Sequence, residues 1–314
     1  METTEAPHNS DRHSIPRTLT PLSGVPAVSL MGTLRFPLLQ TQIEQVVNDA
    51  LNEDGAYDDI TTIATIVSDR RSRGALVARQ DGVVAGVPLA LEAFRVLDPT
   101  ASIRVEHEDG ARVKQGEPIL FVTGHARGLL SAERVALNFC QRLSGIATLT
   151  RKYVDLVSGT DAKIIDTRKT TPGWRALEKY AVRAGGGANY RMNLSDAVLI
   201  KDNHLAAVGA DVGEAVGRAR ELAPLGMKIE VECDNLEQVE DAVAANADII
   251  LLDNMSTDQL REAVTLVSGR AILEASGGVN LNTVRAIAET GVDWISIGAL
   301  THSSPAMDLG LDFD

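Results

Sequence analysis

Between residues 163 and 297, six short apolar runs alternate with segments that carry helix-start signals, and few architectures accept that rhythm. The runs span 163–166, 197–200, 228–232, 249–253, 271–274 and 294–297. Thr171-Pro172 reads as an N-cap followed by proline at the first helical position. Asp211-Val212-Gly213-Glu214 and Ser256-Thr257-Asp258-Gln259 have capping-box spacing, and Gly291 reads as a helix C-cap. A spacing of roughly 20 to 35 residues leaves room for a helix between strands, so the strands are expected to run parallel in an α/β fold. Polar residues and glycine recur at successive strand ends: Arg168, Lys201, Glu232, Asp253, Ser276 and Gly298. Barrels gather their chemistry at that face, which favours a TIM-like parallel α/β barrel over a flat open sheet. Six strands fall short of eight, so the barrel is expected to be incomplete.

The first half has a different texture. Residues 1–30 are rich in Pro, Ser and Thr without periodicity and predict a disordered tail, with His8 and His13 solvated. An amphipathic helix is expected over 40–52, with Ile43, Val46, Val47 and Leu51 on one stripe. Apolar stretches at 74–79 and 82–86 flank Asp81-Gly82, a hairpin signal. Further strands are expected at 103–106 and 118–123, then a long helix from about Ser131 with Glu133 and Arg134 in its first turn.

The chain is acidic, with net charge −13 over 314 residues, so non-specific binding to nucleic acid is disfavoured. Residues 163 to 191 reverse that sign: seven basic residues face only Asp166 and Glu178. A local reversal of this kind points to a built anion site. The two cysteines, Cys140 and Cys233, lack metal-ligand spacing and suit a reducing compartment. The N-terminus has no basic region followed by an apolar stretch and no run is long enough for a membrane span, so the expected location is the cytoplasm.

At the strand ends the residue types add up to one chemistry. Glu230 and Glu232 alternate onto the same side of their strand, where two carboxylates in an apolar setting need a basic partner or a metal. Ser276-Gly277-Gly278 precedes a helix expected to open near Asn280, and backbone N–H groups there can cradle a phosphate. A phosphate cradle, a basic clamp and two acids able to share Mg²⁺ suit a phosphorylated sugar with an anionic co-substrate. Plainer readings stand beside this one. Cys233 is expected to be a packed core residue, and His204 a cap or loop residue. Arg175, Lys179 and Arg183 are read as helix-surface charges, with the i,i+4 pair Arg175 and Lys179 facing water. Gly185-Gly186-Gly187 is no P-loop, because no Lys-Ser/Thr follows.

These motifs together resemble the quinolinate phosphoribosyltransferase family. The resemblance rests on Asp166-Thr167-Arg168-Lys169-Thr170, Gly185-Gly186-Gly187-Ala188-Asn189, Leu199-Ile200-Lys201-Asp202-Asn203-His204 and Leu251-Leu252-Asp253-Asn254. It extends to Ser276-Gly277-Gly278, to Gly298-Ala299-Leu300-Thr301-His302-Ser303 and, in the first half, to Asp59-Ile60-Thr61-Thr62 and Glu133-Arg134-Val135-Ala136-Leu137-Asn138. It implies an N-terminal α+β sandwich domain over 31–136, joined by 303–314, and an incomplete α/β barrel catalytic domain over 137–302. It further implies transfer from 5-phosphoribosyl-1-pyrophosphate to quinolinate with loss of CO2, Mg²⁺ as cofactor, and a homodimer or assembly of dimers with shared active sites. Arg134 would reach a neighbouring subunit's site.

By the same resemblance Arg134, Arg168, Lys169 and Arg191 would clamp the two quinolinate carboxylates, beside Thr167 and Tyr190. Lys201, Ser276, Gly277, Gly278, Gly298 and Ala299 would hold the sugar phosphate. Glu232 and Asp253 would hold the ribose hydroxyls or Mg²⁺, with Lys169, Lys201, Glu232 and Asp253 as the catalytic set. The family motif usually reads Asn-His-Arg where this chain has Asn189-Tyr190-Arg191. Tyrosine keeps a donor but supplies no cation at neutral pH, so a related ring carboxylate, or a binding protein without catalysis, stays open as an alternative.

Overall fold

The computed structural model describes Leu34–Asp314 except Ala210. The tail expected over residues 1–30, with His8 and His13, lies outside the described residues. The chain opens with α1 (Gln40–Glu53), which buries Ile43, Val47 and Leu51 and leaves Val46 half-buried. Next is α2 (Ile60–Thr65), whose N-cap Asp59 accepts the Thr62 N–H at 3.0 Å. The following elements are β1 (Arg71–Ala78), β2 (Gly82–Val83), α3 (Val87–Leu97), β3 (Ser102–Val105), β4 (Arg112–Val113) and β5 (Pro118–His125).

The hairpin expected across Asp81-Gly82 does not form, because β2 pairs with β4 and β1 pairs with β5. Side-chain acceptors on the helix α4 (Ala126–Leu156) draw the β2 segment away. Thr148 Oγ1 accepts the Val83 N–H and Ser144 Oγ the Ala85 N–H, both at 2.9 Å. Helix α4 starts five residues before the expected Ser131, so Glu133 and Arg134 lie beyond its first turn. Its start is set by Asp98, which accepts the His125 N–H at 2.6 Å where β5 runs into the helix. The helix then continues without a break through residues 136 and 137.

The second half follows as β6 (Lys163–Ile165), α5 (Arg175–Ala184), β7 (Val198–Ile200), α6 (Asp202–Val208), α7 (Val212–Leu222), β8 (Ile229–Cys233) and α8 (Leu236–Ala244). It ends with β9 (Ile249–Asp253), α9 (Thr257–Val267), β10 (Ile272–Ser276), α10 (Val284–Ala288), β11 (Trp294–Ser296), α11 (Ala299–His302) and β12 (Leu309–Phe313). The six expected strands are present and parallel, in the order β6-β11-β10-β9-β8-β7. The sheet is open, with β6 and β7 at its edges rather than hydrogen-bonded to each other.

The last strand, β12, leaves this layer and pairs with β1, which gives a second, antiparallel sheet of order β12-β1-β5-β3. The Ser256–Gln259 capping box is complete, and Asp211 accepts the Glu214 N–H at 2.8 Å. Thr171 does not cap α5: the helix starts at Arg175, and Thr171 is bound by its N–H and hydroxyl to the buried Glu178.

Candidate active site

In a parallel sheet every strand releases its chain at the same edge, so residues far apart in sequence meet there. They meet here around a cavity of about 470 Å³. Thr167, Arg168 and Lys169 follow β6, Tyr190 and Arg191 precede β7, and Lys201 follows it. Asp253 and Ser276 close β9 and β10, and Glu232 is the penultimate residue of β8. Nine of the residues singled out in the sequence therefore line one cavity.

Among the described residues, three of the four cations of this cavity, Arg168, Lys169 and Arg191, make no ion pair with a carboxylate. Arg168 is half-buried, and its Nε has no hydrogen-bond partner. Burial, then the charges of Arg191 and Arg175, pull its guanidinium below the ordinary arginine range, a direction that an incoming anion would reverse. Lys169 is fixed at its backbone, where its N–H meets Thr167 Oγ1 at 3.1 Å and its carbonyl accepts Thr301 Oγ1 at 2.7 Å. Its side chain runs over Gly298, where a Cβ would come within 2.9 Å of Lys169 Cδ. Lys201 pairs with Glu232, and Arg191 donates to the Ala197 carbonyl at 3.3 Å.

Gly277, Gly278, Gly298 and Ala299 follow the strand ends without lining the cavity wall. Gly277, at φ +88°, is required by a close approach: a Cβ would sit 2.1 Å from Asn254 Oδ1. Asn254 in turn donates to Asp253 Oδ2 at 2.6 Å, so the glycine turn helps orient the acid. Gly278, at φ +62°, has open space above it. The helix expected near Asn280 starts as a tight turn there and becomes α-helical at Val284, because Thr283 Oγ1 takes the Asn280 N–H.

Arg134 does not reach this cavity and lies exposed on α4. His204 is exposed, and its Nδ1 accepts the Lys201 N–H at 2.9 Å, a capping role. Cys233 is buried core, its thiol pushed up to about 12 by burial.

The expectation that Arg175, Lys179 and Arg183 face water fails for two of them. Lys179 is 1% exposed and paired with Asp166, and half-buried Arg175 bridges Thr170 Oγ1 and the Met192 carbonyl, each at 3.0 Å. Arg183 is exposed, and its guanidinium binds the Arg35 carbonyl at 2.7 Å.

Asp166, Glu274 and Ser296 also line the cavity, as does Glu230, which the sequence offered only as a carboxylate in need of a partner. Glu230 and Glu274 are both buried, and each has one carboxyl oxygen without a partner, as does the hydroxyl of Tyr190. Burial raises the Glu230 carboxyl, and burial followed by the charge of Glu230 pushes Glu274 up to about 8. The Tyr190 phenol is also raised, by burial first and then by Glu230. An acidic residue inside the otherwise apolar Ile272–Ser276 strand is the signal that could have exposed Glu274.

Among the described residues, no three His, Cys, Asp or Glu side chains cluster as a metal cage. Glu232 and Asp253, on neighbouring strands of one cavity, fit the other common arrangement, in which Mg²⁺ takes one or two carboxylates and finds its remaining oxygens on substrate phosphates and water.

Anion-seeking cations, two carboxylates and a glycine turn at one end of a parallel α/β sheet suit an enzyme of phosphorylated substrates. The comparisons narrow that class. The quinolinate phosphoribosyl transferase N-terminal domain matches residues 59–144 and the C-terminal domain of the same name residues 146–312. The chain belongs to this family. It is 49% identical to the nicotinate-nucleotide pyrophosphorylase [carboxylating] of Mycobacterium leprae, over 85% of this chain and 95% of that one. It is 43% identical to the probable enzyme of that name from Bacillus subtilis, over 86% and 93%. Among solved structures, the nicotinate-nucleotide pyrophosphorylase from Ehrlichia chaffeensis superposes with a TM-score of 0.83 at 43% identity, covering 88% of this chain and 99% of that one.

Proposed function

We propose that this chain transfers the phosphoribosyl group of 5-phosphoribosyl-1-pyrophosphate to the ring nitrogen of quinolinate, with loss of CO2, giving nicotinate mononucleotide and pyrophosphate for NAD synthesis. The observation that carries the reading is the cluster of Arg168, Lys169 and Arg191, which make no ion pair among the described residues, in the same cavity as Glu232 and Asp253. Planar guanidinium groups bind carboxylates in bidentate fashion, so Arg168 and Arg191, with Lys169, take the two ring carboxylates beside Thr167 and Tyr190. Lys201, Ser276 and the backbone of Gly277, Gly278, Gly298 and Ala299 take the sugar phosphate. Exposed Arg134 is available to the cavity of a second copy of the chain, as a homodimer would require.

The ring nitrogen displaces pyrophosphate at the anomeric carbon. Positive charge grows on the sugar, and the carboxylates of Glu232 and Asp253 stabilise it. Negative charge grows on the leaving group, where Lys169 and Lys201 assist. Mg²⁺ held by Glu232 and Asp253, directly or through water, would neutralise the diphosphate. Loss of the adjacent carboxylate as CO2 then leaves its electron pair on ring carbon 2, a carbanion stabilised by the positive charge of the neighbouring quaternised nitrogen, and a proton from solvent completes the product. The work of the protein is positioning and charge complementation.

No helix of the described residues is long and apolar enough to cross a membrane. Two buried, unpaired thiols suit the reducing cytoplasm as its location.

The test is product formation with Mg²⁺, 5-phosphoribosyl-1-pyrophosphate and either quinolinate or nicotinate. Nicotinate mononucleotide from quinolinate supports the reading; product from nicotinate alone would replace it with transfer to a related ring acid.

A further inference from the structure

Lys179 and Asp166 form an ion pair whose side chains are 1% and 0% exposed. A buried pair of this kind contributes little net stability, since desolvation offsets most of the attraction. Its placement therefore calls for another account, and its remaining hydrogen bonds supply one. Lys179 Nζ donates to the Tyr190 carbonyl at 2.9 Å, while Asp166 Oδ1 accepts the Tyr190 N–H at 3.1 Å. Both backbone groups of one residue are thus held by the two halves of one ion pair.

The same pair secures the approach to Tyr190. Asn189 Nδ2 donates to Asp166 Oδ2 at 2.6 Å and to the Lys179 carbonyl at 2.7 Å. The Asp166 N–H meets the Ala188 carbonyl at 3.2 Å, and the Ala188 N–H the Ile164 carbonyl at 2.9 Å. Residues 188–190 are neither helix nor regular strand beyond one isolated bridge, so these bonds replace secondary structure. What they fix is the segment that places Tyr190 and Arg191 in the cavity wall.

We infer that Asp166 and Lys179 are positioning residues for ring-diacid recognition: the pair clamps the backbone of Tyr190 and thereby sets Tyr190 and Arg191 as one rigid element against the substrate. The inference rests on the reading of this cavity as the quinolinate site. It assigns no contact between the pair and substrate. It predicts an effect confined to one of the two substrates, because Lys201, Ser276 and the glycine turns stand on other strand ends.

The experiment is the double variant Asp166→Asn/Lys179→Met, which removes both charges at nearly constant volume and leaves no buried charge uncompensated. KM is measured for each substrate, with calorimetric titration of quinolinate alone and thermal melting alongside. The expected result is a rise of about tenfold in quinolinate KM and Kd, the size of one displaced charge-assisted contact. The KM for 5-phosphoribosyl-1-pyrophosphate and the melting temperature stay near the parent values. An unchanged quinolinate KM, or an equal loss toward both substrates, would overturn the inference.

Should the double variant fail to fold, Asn189→Ala decides, since Asn189 is exposed and carries only one arm of the clamp. A selective rise of about threefold in quinolinate KM, less than the loss of a full hydrogen bond, supports the clamp; no change refutes it. A parent protein that neither binds nor converts quinolinate would instead bring down the assignment of the site, a result distinct from parent-like KM values in an altered clamp.

Discussion

Asp98, in the antiparallel half, and Arg168, at the end of a parallel strand, are charged side chains withdrawn from water, and their surroundings differ. Asp98 is fully provided for: it accepts from the Thr100 N–H at 3.0 Å, the Thr100 hydroxyl at 2.7 Å and the His125 N–H at 2.6 Å, with the His125 ring 3.2 Å away. Arg168 keeps a buried Nε with no partner, among other cations. The contrast extends to the two regions. No buried side-chain donor or acceptor between residues 34 and 125 lacks a partner, whereas four of the six unpaired groups among the described residues, on Arg168, Tyr190, Glu230 and Glu274, surround a single cavity; the other two are on Arg151 and Ser304. Buried polar groups are ordinarily satisfied within the fold, so unpaired groups gathered around one cavity mark the place where a ligand completes them. One region is arranged for stability and the other for chemistry.

Substitutions break that division in opposite directions. The largest effect is expected from Phe94→Ala in α3, a fully buried side chain of the antiparallel half. Denaturant unfolding should show a loss of about 3–5 kcal/mol, with kcat/KM of the remaining folded protein unchanged. Arg168→Ala should do the reverse: kcat/KM for quinolinate falls about 100-fold while the melting temperature does not drop, since removing one of several mutually repelling cations relieves the fold. Unchanged turnover in that variant would remove Arg168 from the clamp.

The smallest effect concerns acid. Burial alone would raise Asp98, but its bonds to Thr100 and His125 outweigh that and lower it from 3.8 to about 2. A group depressed in the folded state stabilises fully above about pH 4 and loses that contribution as pH falls toward 2. Asp98→Asn should therefore lose roughly 1–2 kcal/mol at neutral pH and show a flatter decline between pH 4 and 2. Parallel acid curves for parent and variant would show that Asp98 is not held as described.

The parallel sheet was readable in the sequence because its signals are local. Each strand is an apolar run closed by a polar residue, and Ile249–Asp253 falls at its expected bounds. What escaped was decided by partners distant along the chain. The β1–β2 hairpin lost to hydroxyls on α4 and to β12, more than two hundred residues downstream of β1. Lys179, four residues after Arg175, looked like half of a solvated pair, yet its partner is Asp166, just past the end of the preceding strand. Glu274 gave a signal in being an acid within an apolar strand, but the effect of the Glu230 charge on it depends on the strand order that sets β8 and β10 on either side of β9.

The most direct test of the account uses quinolinate labelled in the carboxyl group next to the ring nitrogen. The site has cations for two carboxylates and acids for a developing sugar cation, and decarboxylation needs the quaternised nitrogen. One labelled CO2 should therefore appear for each nicotinate mononucleotide formed, and none without 5-phosphoribosyl-1-pyrophosphate. Labelled CO2 released without the sugar donor, or a mononucleotide that retains the label, would contradict it.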